Sequence, residues 1–220
     1  MNGECTVFGG TIDPDAFGPE LRRLLPDVDV RIVDGRGQPS FSKLINTCLL
    51  QCPTEIFVFV SDRVRPTPQA LRRLLMLVGE NYGVVGLFRF AFFGARKQLF
   101  REIGWFDEQY RGGGYEDCDI LYRLLEARIG QYESEEVEYH KGKSRWAFRS
   151  FDYHRSKWLI EPGSGCVYRR LPETDPYPRT RLGPPQPVDW QPWTAATLLP
   201  ESCMHDGWYV SSLVDSNDRR

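Results

Sequence analysis

The chain has 220 residues, 41% of them hydrophobic, and a net charge of -2 from mixed signs. That length suits one substantial α/β domain burying roughly 70% of its unfolded surface, and the mixed charge excludes the strong basic field of a nucleic-acid binder. The longest apolar runs, such as Ile56–Val60 and Val84–Phe88, are far too short to cross a bilayer, and the first ten residues lack the basic and long apolar regions of a secretory leader, so a cytoplasmic location is expected.

Cys5–Phe8 reads as a first strand ended by Gly9-Gly10, Ala16–Leu25 as a helix, and Val28–Val33 as a second strand closing on Asp34-Gly35. Phe41–Gln51 carries apolar residues at helical spacing and is stopped by Pro53. Glu55–Val60 is β-branched and aromatic without a polar break, as suits a central strand covered on both faces, and Ser61-Asp62-Arg63 follows at its carboxyl end. Gln69–Val78 is a helix, Val84–Phe93 supplies one or two strands, and Gln98–Ile103 is a short helix. Ile120–Ala127 is the next helix, and Glu136–Tyr139 a strand with His140 at its end.

This alternation predicts a mostly parallel, doubly wound sheet over residues 1–146, with ligands beyond the carboxyl ends of the strands, where Asp34, Asp62 and His140 all fall. Residues 147–220 form a proline- and aromatic-rich extension, too aromatic for pure disorder, expected to fold over the core with short strands near Cys166–Arg169 and Trp208–Leu213. The six cysteines are scattered without a CxxC pair and read as reduced intracellular thiols, Cys48 and Cys52 as packing residues.

The most informative stretch is Phe106–Arg123, FDEQYRGGGYEDCDILYR. Its glycine triplet lets the backbone approach a ligand closely. Glu116, Asp117 and Asp119 fall where a helix dipole favours acids, and a carboxylate rim of this kind suits general-base work on a sugar hydroxyl; alternatively it is an ordinary acid-capped loop. Trp105, Tyr110 and Tyr115 offer faces for sugar rings, although Trp105 and Phe106 read equally as core anchors and Asp107 as a turn or capping residue. His154 and His205 read as surface or satisfied core histidines.

From about Val28 to Trp146 the order of motifs resembles a GT-A-fold, inverting, nucleotide-sugar-dependent glycosyltransferase. The resemblance is to the family-2-like group and the related β-1,4-galactosyltransferases. TEIFVFVSDRVRPTPQAL looks like the strand–DxD–helix segment, and FFGARKQLFREIGWFDEQYRGGGYEDCDILYRL like the acceptor-site segment. The resemblance implies Asp117 as the base that takes the acceptor's proton, with Glu116 binding the acceptor or orienting that base. It implies an acceptor site of Tyr110, Gly113, Gly114, Tyr115 and Asp119. It places the donor, a UDP-sugar by analogy, against Gly9, Thr11, Asp34, Ser61, Asp62 and Arg63. The acceptor would be a glycan or glycoconjugate. Asp62 and His140 would hold a divalent Mn or Mg ion.

The DxD equivalent departs from the pattern, since Ser61 and Arg63 stand where acids are expected and a guanidinium supplies no metal ligand. Two readings stay open: Asp62 and His140 hold the metal, or Arg63 itself neutralises the leaving diphosphate, helped by Lys141, Lys143 or Arg145. Those last three residues read equally as a solvated loop. Two rival functions also stand. VFGGTIDP resembles the opening of nucleotidylyltransferases, but the phosphate-binding histidines of that motif are missing; and a degraded DxD is compatible with a sugar- or nucleotide-binding module without turnover. A Rossmann dehydrogenase is disfavoured because no GxGxxG follows the first strand.

Overall fold

A computed structural model of the chain describes residues 5–38, 40–79, 82–127, 129–134, 153–154, 158–161 and 167–170. Strand β1 (Cys5–Thr11) is buried along its whole length and lies one strand in from the edge of a six-stranded sheet. The other strands are β2 (Asp29–Asp34), β3 (Ile56–Ser61), β4 (Val84–Phe88), β5 (Phe92–Arg96) and β6 (Gln131–Glu133), in the order β2-β1-β3-β5-β4-β6. β1 pairs parallel with β2 and β3, β4 pairs parallel with β6, and β5 runs antiparallel to both β3 and β4. Five of the six strands therefore point the same way, as the alternating pattern predicts.

Successive side chains of a strand face opposite sides of the sheet, so an uninterrupted apolar strand needs cover on both. Val7, Val58, Val60 and Phe92 pack with Phe17 and Leu21 of α1 (Pro14–Leu24) and with Leu71 and Leu74 of α3 (Pro68–Gly79). Phe8, Phe57, Phe59 and Phe93 face the other way, toward Leu44, Ile45 and Cys48 of α2 (Phe41–Gln51), α4 (Lys97–Ile103) and α5 (Glu116–Ala127). Helices α1, α2 and α3 begin where side chains cap them. Asp13 Oδ1 accepts the Ala16 N–H at 3.3 Å, Ser40 Oγ that of Lys43 at 3.1 Å, and Thr67 Oγ1 that of Ala70 at 3.1 Å.

Three boundaries differ from the sequence reading. β1 does not end at Gly9-Gly10 but continues to Thr11, because both glycines are needed for close packing. A Cβ at Gly9 would lie 2.7 Å from Leu21 Cδ2 and 2.8 Å from Ile32 Cδ1, and one at Gly10 would lie 2.6 Å from Phe59 Cζ. Val84–Phe93 does hold two strands, antiparallel around Arg89 and within the one or two expected, but the second runs on to Arg96 instead of stopping at Phe93. Helix α5 starts at Glu116, four residues earlier than the apolar periodicity indicates, so the acids form its first turn. Within the C-terminal extension, β7 (Trp158–Glu161) and β8 (Val167–Arg170) form an antiparallel pair. The strands expected at Glu136–Tyr139 and Trp208–Leu213 lie outside the described residues.

Candidate active site

Because β1, β2, β3, β4 and β6 are co-directional, their carboxyl ends share one edge of the sheet. Thr11 ties three of those ends together. Its hydroxyl donates to Asp62 Oδ2 at 2.8 Å and accepts the Asp13 N–H at 2.9 Å, while its carbonyl accepts the Gly35 N–H at 2.6 Å. Asp62 is held from the backbone as well, its N–H donating to the Gly10 carbonyl at 3.0 Å. Arg65 braces the same turn, donating to the Asp62 carbonyl at 2.8 Å and pairing with Glu20 of α1 at 2.5 Å.

A second turn abuts the first. The Ser61 N–H donates to the Ala91 carbonyl at 2.8 Å, and the Ala91 N–H closes on the Phe88 carbonyl at 3.0 Å. Between Phe88 and Ala91 sits Arg89, with left-handed backbone at φ 48°. A non-glycine residue there costs on the order of 1–3 kcal/mol and persists only where its surroundings fix it. Arg89 Nε lies 3.8 Å from Glu133 Oε1, at the carboxyl end of β6. Arg63 is half-buried, and its proton affinity is lowered by desolvation and by repulsion from Arg89, against a raising influence of Asp62.

The acidic motif reaches the same edge. Gly112 and Gly114 have φ of 74° and 101°, conformations that favour glycine, and Tyr115 is held at 73°. The Gly112 carbonyl accepts the Phe41 N–H at 2.7 Å, which fastens the glycine run to the start of α2. Asp117 is partly exposed, and its Oδ1 accepts the Cys118 N–H at 2.9 Å. Desolvation raises its pKa above the ordinary aspartate value, offset in part by the Cys118 hydrogen bond and by the charge of Arg89. Glu116 is only 6% exposed, and its Oε2 has no hydrogen-bond partner among the described residues. Burial, then the charge of Asp117, holds the Glu116 carboxyl well above its usual range, which favours its protonated form. The Cys118 thiol is also pushed well up by burial and by these carboxylates.

Asp119 has a different task. It is fully buried and forms a short ion pair with Arg123 one turn along α5. Arg123 Nη1 also donates to the carbonyls of Trp105, at 2.6 Å, and Ile103, at 3.3 Å. The Tyr110 hydroxyl lies 3.5 Å from Asp119 Oδ1 and 3.0 Å from His154 Nδ1. His154 stacks on Tyr115, with ring centroids 5.1 Å apart, which helps to fix that residue's left-handed backbone. Tyr153 donates to Asp107, whose other oxygen accepts the Gln109 N–H at 2.9 Å, the turn role expected of it. Asn46 of α2 grips the same loop from below: it donates to the Phe106 carbonyl at 2.8 Å and accepts the Phe106 N–H at 3.1 Å.

The structure thus brings Thr11, Ser61, Asp62, Arg63, Glu116 and Asp117 to one edge. Asp34 is also at a strand end, but it is exposed and taken up by Arg36, whose side-chain hydrogen bonds hold its carboxyl below the usual range. Gly9, expected against the donor, lies inside β1 instead, packed under α1. Tyr110 and Asp119, expected against the acceptor, are fully buried and brace the motif from within. Gly113 is buried, whereas Gly114 and Tyr115 keep some exposure. Arg89, Asn46 and Arg65 were not anticipated. Only Arg89 left a sequence signal, a lone cation inside the apolar run LFRFAFF.

His140, Lys141, Lys143, Arg145 and His205 lie outside the described residues. The described residues do not by themselves fit a divalent ion. Asp62 is the one acid of its triplet and already accepts from Thr11, and no group of three His, Cys, Asp or Glu side chains among the described residues could hold a metal. Among those residues, no helix is long and apolar enough to cross a membrane.

Residues 91–163 match the family model described as "Glycosyltransferase like family 2", which bears out the family-2-like resemblance over the segment carrying the acidic motif. No curated protein matches the chain. Among solved structures, the chain is similar to Drosophila β1,4-galactosyltransferase 7 in complex with manganese, UDP-Gal and xylobiose, at 16% identity over 68% of this chain and 73% of that one, with a TM-score of 0.45. It is similar to a mycobacterial protein at 13% identity over 80% and 86%, with a TM-score of 0.47. It is also similar to glucosyl-3-phosphoglycerate synthase from Mycobacterium tuberculosis in complex with Mn2+ and UDP-glucose, at 12% identity over 80% and 89%, with a TM-score of 0.44. At such identities and scores nothing about this chain's substrate follows from them.

Proposed function

We propose that the protein is a glycosyltransferase that moves a sugar from a nucleoside diphosphate donor to a hydroxyl acceptor with inversion, Asp117 acting as general base. The observation that carries this reading is the placement of Asp117. Of the three acids in the first turn of α5, it is the one that is both partly exposed and electrostatically in contact with the cationic rim at Arg89. The bond from the anomeric carbon to the diphosphate oxygen breaks, and its electron pair leaves with the diphosphate. The acceptor oxygen bonds to the same carbon, and its proton passes to the Asp117 carboxylate. A carboxylate with somewhat raised proton affinity is better matched to that transfer than an ordinary aspartate. A single displacement from the side opposite the leaving group inverts the anomeric centre. Glu116, buried and favoured in its protonated form, would orient the base rather than attack.

The donor edge is Thr11, Ser61 and Asp62, with Asp34 at its margin. A UDP-linked donor is the one the resemblance implies. A divalent ion, if one binds with Asp62 and His140, would supply Lewis-acid stabilisation of the diphosphate. The test is a screen of nucleotide-sugars by thermal shift, followed by transfer assays on the parent and on Asp117→Asn. The variant should lose transfer by at least about a hundredfold, the low end of general-base contributions, with donor affinity nearly unchanged. Normal transfer by Asp117→Asn would remove that residue from the role of base.

A further inference from the structure

The glycine run of the acidic motif is bracketed by two tyrosines, and both meet the same imidazole. His154 Nδ1 lies 3.0 Å from the hydroxyl of Tyr110, before the run, and its ring stacks on that of Tyr115, after the run, with centroids 5.1 Å apart at 24°. It stacks on Tyr122 as well, at 5.7 Å and 30°. Tyr115 and Tyr122 are spaced i, i+7, close to two helical turns, so they fall on one side of α5 and its entry. His154 follows Tyr110 by 44 residues in the chain. Its neighbour Tyr153 packs against the Tyr110 ring, centroids 4.9 Å apart at 71°, and donates to Asp107. Both residues are buried, Tyr153 to 2% exposure and His154 to 3%.

The entry to α5 needs such a fixture. A φ of 73° is open to glycine without strain, but a tyrosine keeps it only where its surroundings fix it. The Tyr115 carbonyl accepts the Asp119 N–H at 3.0 Å, an opening bond of α5, so the direction in which the acid turn leaves the loop depends on where Tyr115 sits. The glycines ahead of it restrict the backbone least of all residues and do not set that direction themselves.

We infer that Tyr153 and His154 are positioning residues: through Tyr110 and Tyr115 they clamp both ends of the glycine run and hold the first turn of α5, with Asp117 on it, in the orientation that sugar transfer requires. The inference rests on the glycosyltransferase reading for the reaction it serves. Being buried, the pair acts through the tyrosines, and misplacing a reacting group by about 1 Å can cost about a hundredfold in rate. The strand ends at Thr11, Ser61 and Asp62 are tied by their own bonds to Asp13, Ala91 and Gly10, so nucleotide affinity does not depend on the clamp.

The experiment compares the full chain with His154→Ala, His154→Phe, His154→Gln and Tyr115→Gly. The probes are UDP-glucose, UDP-galactose and GDP-mannose, with methyl glycosides as hydroxyl acceptors. Donor binding is read by calorimetry, transfer well below each variant's melting temperature, and exchange of the Asp119 amide by NMR or mass spectrometry. His154→Ala should lower kcat about ten- to hundredfold with donor affinity within about twofold of the parent, and should speed exchange at Asp119. His154→Phe keeps an aromatic face for Tyr115 and Tyr122 and should hold kcat within about threefold, whereas His154→Gln, with no ring, should not. Tyr115→Gly guards against misfolding, since its backbone fits the left-handed position; it should lose kcat as His154→Ala does, and the double variant should be no worse than the poorer single one. Parental kcat in folded His154→Ala, a loss that His154→Phe does not recover, additive losses in the double variant, or unchanged exchange at Asp119 each overturn the clamp and leave the transferase reading standing. If the parent transfers sugar from none of the donors, the transferase reading falls and the clamp's role in transfer with it.

Discussion

Arg123→Met removes the cation from a pair in which both side chains have no solvent exposure, leaving Asp119 in the interior without its ion-pair partner and with the Tyr110 hydroxyl 3.5 Å away. Breaking a buried pair from one side costs about 3–5 kcal/mol, since the surviving charge keeps its desolvation penalty and loses its partner. The carbonyls of Ile103 and Trp105 lose their donor in the same step, which pushes the loss in the same direction. At roughly 2–4 °C per kcal/mol for a chain of this size, the melting temperature should fall by roughly 6–20 °C. Urea denaturation and calorimetry read both quantities. Asp119→Leu with Arg123→Met removes both charges and should recover much of the loss, because buried pairs are often replaceable by apolar side chains of similar volume. The deficit of the single variant should also shrink in acid, where Asp119 takes a proton. A single variant within about 1 kcal/mol of the parent, or a double variant worse than either single one, would show that the pair does not organise this region.

Two further outcomes follow from the same site. Glu116 and Asp117 are both held above ordinary carboxyl values, chiefly by burial, so the folded state keeps protons that the unfolded chain releases; their stabilising contribution is whole below the ordinary carboxyl range near about pH 4 and is lost as pH rises through the folded values. Glu116→Gln should therefore flatten the fall of melting temperature with rising pH, while the acid limb of transfer, set by Asp117, stays in place; a variant with the parent's slope contradicts the buried, protonated Glu116. Asn46→Ala strips the Phe106 backbone of a donor and an acceptor in a buried position and should cost about 2–4 kcal/mol by denaturant titration, with transfer weakened more than nucleotide affinity.

The sheet was legible because its signal is local. Val58, Phe59 and Val60 declare a strand covered on both faces, and Leu71 and Leu74 a helix face, whatever surrounds them. The carboxyl edge was legible for the same reason, since strand direction follows from the alternation of elements. What escaped was set by contacts distant in sequence. Asn46 meets the Phe106 loop across sixty residues, and Asn at an apolar helix position carries no local mark of its partner. Gly9 read as a strand end because glycine weakens strands on average, whereas here its missing Cβ admits Leu21 and Ile32. Tyr110 read as a sugar platform because aromatic residues near a glycine run suit that role equally well. Only its packing on Tyr153 and its hydroxyl's place beside Asp119 and His154 decide for the interior.

The division of labour among the acids follows from helical period once the start of α5 is known. Positions 116, 119, 120 and 123 are spaced i, i+3, i+4 and i+7, so Glu116, Asp119, Ile120 and Arg123 form one stripe turned toward the interior. Asp117 lies about 100° around the helix from Glu116 and is carried off that stripe toward the rim. The interior stripe then explains the chemistry of the outer residue. Arg123 pairs with Asp119, and burial favours the protonated form of Glu116, which leaves Asp117 as the partly exposed acid among the three. Had the helix begun at Ile120, as the apolar pattern alone suggests, the acids would lie on irregular backbone and no such sorting would follow. The left-handed Tyr115, stacked on His154 and with its carbonyl accepting the Asp119 N–H at 3.0 Å, stands at that start and hence bears on which carboxylate of the turn keeps some exposure.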